Sequence, residues 1–87
     1  MPWTKQHSLQ LGLRIRELRR LNGLTQESLA HRAGITKNQM QLIEAGRGSP
    51  GDPLPGSNPR TSTLVGIAEV LSVRPGDLLN EAVAPPE

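Results

Sequence analysis

Apolar residues recur along this chain at the three-to-four-residue spacing of amphipathic helices. The first such stretch carries leucine or isoleucine at positions 11, 15, 18 and 21, which places them along one side of a helix. The same spacing predicts five helices in all, at about residues 8–22, 25–33, 36–45, 61–71 and 75–82. Because the core must be aliphatic, with Trp3 as the one aromatic residue, the composition favours an all-α bundle over a β-sandwich.

Glycines and threonines mark where these helices begin and end. Thr25 and Thr36 are good N-cap residues, and Gln39, three residues after Thr36, completes a capping box. Gly23 ends the first helix. Gly34 turns the chain between the second and third helices, because glycine adopts the left-handed conformation there without a steric penalty.

The connection between the third and fourth helices is a long Gly/Pro-rich loop. Four prolines and four glycines between positions 46 and 59 forbid regular structure there. The predicted organisation is therefore an N-terminal arm over residues 1–7, one helical domain over residues 8–82 with a loop insertion at 46–60, and a C-terminal tail over residues 83–87.

Composition and charge narrow the class of protein. The chain contains no cysteine, which excludes disulfide bridges and thiolate metal sites. It has no secretory signal and no apolar run that could span a membrane, so we expect a soluble cytoplasmic protein. Residues 1–47 hold eight basic and three acidic side chains, a net charge of +5, whereas residues 48–87 hold two and five, a net charge of −3. The basic half favours a polyanionic partner; an ordinary solvated surface is the alternative.

Residues 25–46 have the features of two helices that cross through a tight turn. Ala30 is small where the two helices must approach closely, and a buried wedge between them is supplied by Leu29, Ile35, Met40 and Ile43. A helix-turn-helix uses this arrangement to hold its second helix outward, so that the helix fits the major groove of double-stranded DNA.

The third helix is predicted to present base-reading side chains. At about 100° per residue its apolar side faces the core, and the opposite side carries Lys37, Asn38, Gln41, Leu42 and Ala45. Lysine donates to guanine, asparagine and glutamine pair with adenine, and leucine touches the thymine methyl group; a solvated amphipathic face is the alternative. Gln26 lies in the first turn of the second helix, where unpaired N–H groups attract a DNA phosphate.

Several motifs together resemble the Cro/repressor-type helix-turn-helix family, also called the XRE family. They are RIRELR at residues 14–19, GLTQESLA at 23–30, AGIT at 33–36 and IEAG at 43–46. The resemblance extends over about residues 9–82, apart from the loop. It implies a five-helix, phage-repressor-like domain that binds palindromic operators as a homodimer, with half-sites roughly 34 Å apart.

The resemblance also implies roles for individual residues. Gln26 matches a glutamine that contacts phosphate and supports the recognition helix, and Arg60 matches a position near the DNA backbone or minor groove. Arg19 and Glu44 match a structural ion pair that ties the first helix to the end of the third. The positions that face DNA in the family correspond to Thr36, Lys37, Asn38, Gln41 and Leu42.

This chain departs from the family pattern in three places. The loop at 46–60 is longer than usual and is interpreted as a disordered tether, an extra DNA contact with Arg47 and Arg60 at its ends, or a partner site. Arg74 replaces a small capping residue before Pro75, so we expect the fifth helix to start weakly. Gly66 weakens the fourth helix, by roughly 1 kcal/mol relative to alanine if it is exposed.

Two apolar positions of the first helix need a cover. Leu9 and Leu13 lie opposite its core-facing stripe, so we predict that the chain's own N-terminus with Trp3, or else a partner, packs over them. The homodimer interface is predicted at the end of the fourth helix and in the fifth, around Leu78, Leu79 and Val83.

The function predicted from these features is that of a transcriptional regulator, a repressor by the default of the family. An enzyme is not expected, because His7 and His31 are isolated from acidic clusters and no phosphate-binding glycine loop follows a strand. No cofactor or metal is predicted. The alternatives are an antitoxin, which binds a toxin protein and autoregulates, and an interaction module that has lost DNA binding.

Overall fold

The computed structural model describes residues 3–48, 56 and 59–83, with side chains up to Asn80. Within these residues the chain forms α1 (Lys5–Leu21), α2 (Gln26–Ala33), α3 (Lys37–Glu44), α4 (Thr61–Leu71) and α5 (Pro75–Val83). The prediction of an all-α, five-helix domain is confirmed. Most of the predicted loop insertion, and the tail beyond residue 83, lie outside the described residues.

The first helix begins three residues earlier than predicted. Thr4 is its N-cap: the Thr4 hydroxyl accepts from the His7 backbone N–H (3.2 Å), and His7 Nδ1 accepts from the Thr4 N–H (3.1 Å). Histidine here takes the place of the Glu or Gln of the usual capping box. The predicted start at Ser8 is therefore wrong, because the apolar spacing begins only after the capped turn, and residues 5–7 of the predicted arm are helical.

The start of α5 is supported in a way that was not predicted. Arg74, just before the helix, offers no small capping side chain, but the Asp77 carboxylate accepts a hydrogen bond from the Arg74 backbone N–H at 3.1 Å. This interaction is the returning half of a capping box, and it also places an acidic group in the first turn, where the helix dipole favours it. The carboxylate thus partly offsets the weak start expected from Arg74.

The core lies where all five helices meet. α1 packs against α3 and α5, α2 packs against α3 and α4, and α4 contacts α5. The fully buried apolar side chains that join them are Leu11, Ile15, Leu29, Met40, Ile67, Ala68 and Leu78. Because Leu78 is part of this core, its predicted place in a dimer interface is wrong. Leu79 is half-buried against the core. The side chain of Val83 is not among those that the structure describes.

Two glycines allow helices to touch backbone to backbone. A Cβ on Gly12 of α1 would lie 2.5 Å from the carbonyl oxygens of Ile43 and Glu44 at the end of α3. A Cβ on Gly66 of α4 would lie 2.9 Å from the carbonyl oxygen of Ala33 at the end of α2. Gly66 is half-buried, so its role is to permit this approach, and the cost expected for an exposed helical glycine does not apply.

Trp3 packs on the domain, and the outer side of α1 stays partly exposed. Trp3 lies against the core, and its indole N–H donates to Ser8 Oγ at 2.8 Å. Leu9 and Leu13 remain 38% and 53% exposed. The predicted cover by Trp3 is therefore incomplete, and cover by a partner stays a prediction.

Candidate nucleic-acid interface

The turn between α2 and α3 is closed by Gly34. Its φ of +79° is left-handed, a conformation that costs side chains bearing a Cβ about 1 kcal/mol or more. The next backbone N–H, that of Ile35, donates to the carbonyl of Ala30 at 2.9 Å. These interactions end α2 and allow α3 to begin after only three intervening residues, as predicted for a helix-turn-helix.

The start of α3 is fixed by the predicted capping box. The Thr36 hydroxyl accepts from the Gln39 backbone N–H at 3.1 Å, and the Gln39 side-chain oxygen accepts from the Thr36 N–H at 2.9 Å. The prediction for this pair is confirmed. The Thr36 hydroxyl and the Gln39 side chain are thus both used to fix the start of α3.

The two sides of α3 differ sharply in burial. Its inner side buries Met40, Ile43 and Glu44, whereas Lys37, Asn38 and Gln41 are exposed. Leu42 is half-buried and therefore lies at the border between the two sides. α3 thus brings four of the residues singled out in the sequence onto one surface, with donors, acceptors and an apolar edge of the kind that base edges require.

The end of α3 is held by the carboxylate of Glu44, whose side chain is fully buried. Arg19 of α1 donates through Nε to Oε2 (2.8 Å) and through Nη2 to Oε1 (3.1 Å). The Arg19–Glu44 pair implied by the family resemblance is confirmed. Gln26 of α2 also donates to Glu44, through Nε2 to Oε1 at 3.1 Å, and Arg16 of α1 does so through Nε at 3.4 Å. One carboxylate therefore links three helices.

Sequence reasoning did not single out Arg16. The available signal was its position three residues before Arg19, which places both arginines near the same edge of α1. The family resemblance implied that Gln26 supports the recognition helix, and its hydrogen bond to Glu44 at the end of α3 can provide that support. It is half-buried at the first position of α2.

Arg47 and Arg60 flank the loop between α3 and α4, and both are exposed. Arg47 follows the end of α3, and its backbone N–H donates to the carbonyl of Leu42 at 2.8 Å. Arg60 is the N-cap of α4 and makes no side-chain capping bond. Between them, Gly56 returns to the end of α3, since a Cβ on it would lie 2.9 Å from the carbonyl oxygen of Gly46.

An open groove of about 530 Å³ runs between α2 and the start of α3. Glu27 and His31 line it from α2 and Lys37 lines it from α3, so its charge is mixed. No group of three or more potential metal ligands occurs in the part of the chain that the structure describes. Within the same ranges, no helix has both the length and the apolar character that a membrane crossing requires.

Comparison with known proteins places these features in a family. A family model described as a helix-turn-helix domain matches residues 10–82. The chain is similar to the restriction-modification controller protein C.AhdI from Aeromonas hydrophila, with 28% identity and a TM-score of 0.67 over 80% of this chain and 92% of that one. It is also similar to SinR, a master regulator for biofilm formation solved in complex with DNA, with 29% identity and a TM-score of 0.64 over 79% and 97% of the two chains.

A third solved structure shares the fold at lower sequence identity. The clp gene regulator ClgR from Corynebacterium glutamicum is 22% identical, with a TM-score of 0.71 over 93% of this chain and 73% of that one. No curated protein sequence matches the chain.

Proposed function

The chain belongs to the helix-turn-helix domain family, with the fold of DNA-binding transcription regulators, and on that premise we propose that it is a sequence-specific repressor. As a homodimer it reads the major groove of double-stranded DNA with α3. The observation that carries the proposal is the exposed polar surface of Lys37, Asn38 and Gln41 on a helix whose other side is buried.

The chemistry of this surface fits the edges of base pairs. The amides of Asn38 and Gln41 each offer a donor and an acceptor, which match adenine, while the Lys37 ammonium matches the acceptors of guanine. The half-buried Leu42 offers an apolar edge for a thymine methyl group. A good bidentate contact discriminates between bases by about 1–3 kcal/mol, so two or three such contacts per protomer are enough for sequence preference.

Contacts to the DNA backbone set the orientation of α3 in the groove. Gln26 uses one hydrogen of Nε2 for Glu44, which leaves the second hydrogen for a phosphate oxygen. Thr36 lies at the exposed start of α3, and Arg47 and Arg60 carry exposed positive charges at the ends of the loop. These contacts read no sequence but fix register, and the net charge of +5 on residues 1–47 supports attraction to DNA.

A homodimer gives the proposed regulator enough contacts for an operator. One α3 reads only a few base pairs, and a two-fold pair of such helices reads two half-sites about one helical turn apart. SinR, which is similar over most of this chain, was solved with DNA, and this supports the same partner here. A dimer bound at a promoter represses by occupying the DNA that transcription requires.

The test is selection from sheared genomic DNA at physiological salt, followed by sequencing of the retained fragments. The wild-type chain should recover a palindromic motif, and the Lys37→Ala/Asn38→Ala variant should lose it. Lys5→Ala/Gln6→Ala is the matched control, because it also removes one lysine and one amide from the exposed first turn of a helix. It should retain the motif.

Two other results would count against the proposal. A motif without two-fold symmetry would contradict the homodimer. Binding that depends on salt but not on sequence would contradict the sequence-specific regulator, and a protein partner would then be the better hypothesis. An antitoxin is the alternative of that kind, and co-purification of a toxin with the chain would identify it.

A further inference from the structure

The buried carboxylate of Glu44 receives two arginines, although one is sufficient to balance its charge. Arg19 makes the paired contact to both carboxylate oxygens, at 2.8 and 3.1 Å. Its remaining Nη1 donates to the carbonyl of Leu24 at 2.9 Å, and its side chain is only 11% exposed. Arg19 therefore balances the charge of Glu44, and each of its three guanidinium nitrogens donates a hydrogen bond within the fold.

Arg16 contributes much less to this structural arrangement. Its Nε lies 3.4 Å from Glu44 Oε1, and its side chain is 39% exposed. Within the described part of the chain, its hydrogen bond to Glu44 uses only Nε, so the two Nη groups of its guanidinium keep their N–H donors. Two arginines and one glutamate leave a net charge of +1, and Arg16 carries that surplus at the surface.

The surplus charge lies beside the residue proposed to bind phosphate. Arg16 and Gln26 donate to the same oxygen, Glu44 Oε1, at 3.4 and 3.1 Å. Their side chains are therefore neighbours, although they come from different helices. Both side chains keep N–H donors that Glu44 does not use, namely the Nη groups of Arg16 and the second Nε2 hydrogen of Gln26. An anion bound by both would also relieve the repulsion between the two arginines.

We propose that Arg16 binds a backbone phosphate of DNA next to Gln26, and that Glu44 holds Arg16 in position to do so. A guanidinium pairs with a phosphate through two parallel N–H donors, which a lysine cannot reproduce. The proposal rests on the proposed function and adds a phosphate site on α1 to the contacts of α2 and α3.

The experiment compares Arg16→Ala with Arg20→Ala on the operator recovered by the genomic selection. Arg20 is exposed on the same helix, so each variant loses one surface arginine and the same net charge. Affinity is measured over a range of salt concentrations, and phosphate ethylation interference identifies the phosphates that the protein touches. Unfolding in urea is measured for both variants as a check on the fold.

Arg16→Ala should bind about tenfold more weakly than wild type. Its salt dependence should be shallower by about one unit of slope per protomer. With Arg16→Ala, ethylation of one phosphate in each half-site should no longer interfere with binding, and the preferred DNA sequence should stay the same. Arg20→Ala should leave the interference pattern intact. Arg16→Lys keeps the charge and should recover most of the salt slope but less of the affinity.

Equal losses of affinity in Arg16→Ala and Arg20→Ala, with unchanged interference patterns, would overturn this proposal. The proposed function would stand, because the wild-type chain would still bind its operator. A wild-type chain that selects no operator would overturn the proposed function, and this inference with it. If Arg16→Ala fails to fold, Arg16→Gln decides by the same interference pattern, because glutamine keeps an N–H donor for Glu44 but carries no charge for the phosphate.

Discussion

Replacing Glu44 by alanine tests whether one buried carboxylate anchors the recognition helix. The side chain accepts four hydrogen bonds, from Arg16 Nε, Arg19 Nε, Arg19 Nη2 and Gln26 Nε2. Alanine removes all four and leaves the Arg19 guanidinium, 11% exposed, without its charge partner. The end of α3 then loses its side-chain hydrogen bonds to α1 and α2 and keeps only its packing contacts.

The expected loss follows from the burial of the pair. Hydrogen bonds to charged groups contribute about 1.5–3 kcal/mol each, but the desolvation of Glu44 and Arg19 offsets much of their sum. Removing one partner of a buried ion pair costs about 3–5 kcal/mol in measured cases, and we expect a value in that range. The free energy of unfolding is about 0.05–0.15 kcal/mol per residue, or roughly 4–13 kcal/mol for a domain of this length. Glu44→Ala should therefore remove a large share of the stability of the domain.

Urea unfolding followed by circular dichroism measures this loss. The midpoint should fall by roughly 2 M. Glu17→Ala is the control, since Glu17 pairs with Arg14 at 3.0 Å on the surface with its own side chain 62% exposed. Such a pair contributes about 0–1 kcal/mol. If the two variants shifted the midpoint by the same amount, the carboxylate would not be the anchor and the reasoning would be refuted.

Four further substitutions test the packing and the surface of the domain. Gly12→Ala should cost about 1–3 kcal/mol in urea unfolding, because its Cβ would meet the backbone of α3 at 2.5 Å; Gly76→Ala, with open space around it, is the control and should cost nothing. Thr36→Ala should cost about 1 kcal/mol through the lost cap, and an unchanged midpoint would contradict that role. Asn38→Ala should relax the preference at one base position while sparing non-specific binding. Gln26→Ala should weaken binding to all sequences alike and leave the salt slope nearly unchanged, because the neutral amide displaces no counterion. Identical behaviour of these two variants in fluorescence anisotropy would contradict their assignment to base and phosphate.

The helix caps and turns of this fold were predictable because the residues that form them lie only three or four positions apart in the sequence. The capping box of Thr36 and Gln39 and the left-handed Gly34 are such features, and the predicted bounds of the fourth helix match α4. The start of α1 was missed for a local reason too. His7 accepts the Thr4 N–H, but histidine is not among the residues that define the capping pattern.

The features that depend on helix packing could not be predicted from spacing alone. Gly12 and Gly66 look like weak points in their helices until the carbonyl groups opposite them are known. Leu78 follows the same apolar spacing in a core as in an interface, so the sequence pattern did not separate the two. The polar surface of α3 was predictable from its 100° period, whereas the half-burial of Leu42 depends on neighbouring helices.

Glu44 makes the geometry of base reading and of phosphate binding depend on one another. It is the last residue of α3, the helix that carries the proposed base contacts, and it bonds both Gln26 and Arg16, the proposed phosphate contacts. A shift of α3 therefore moves the phosphate contacts with it, which keeps the side chains in register with the bases. Because the paired contact from Arg19 already balances the buried charge of Glu44, Arg16 is the member of this cluster whose loss should weaken DNA binding while the fold is kept.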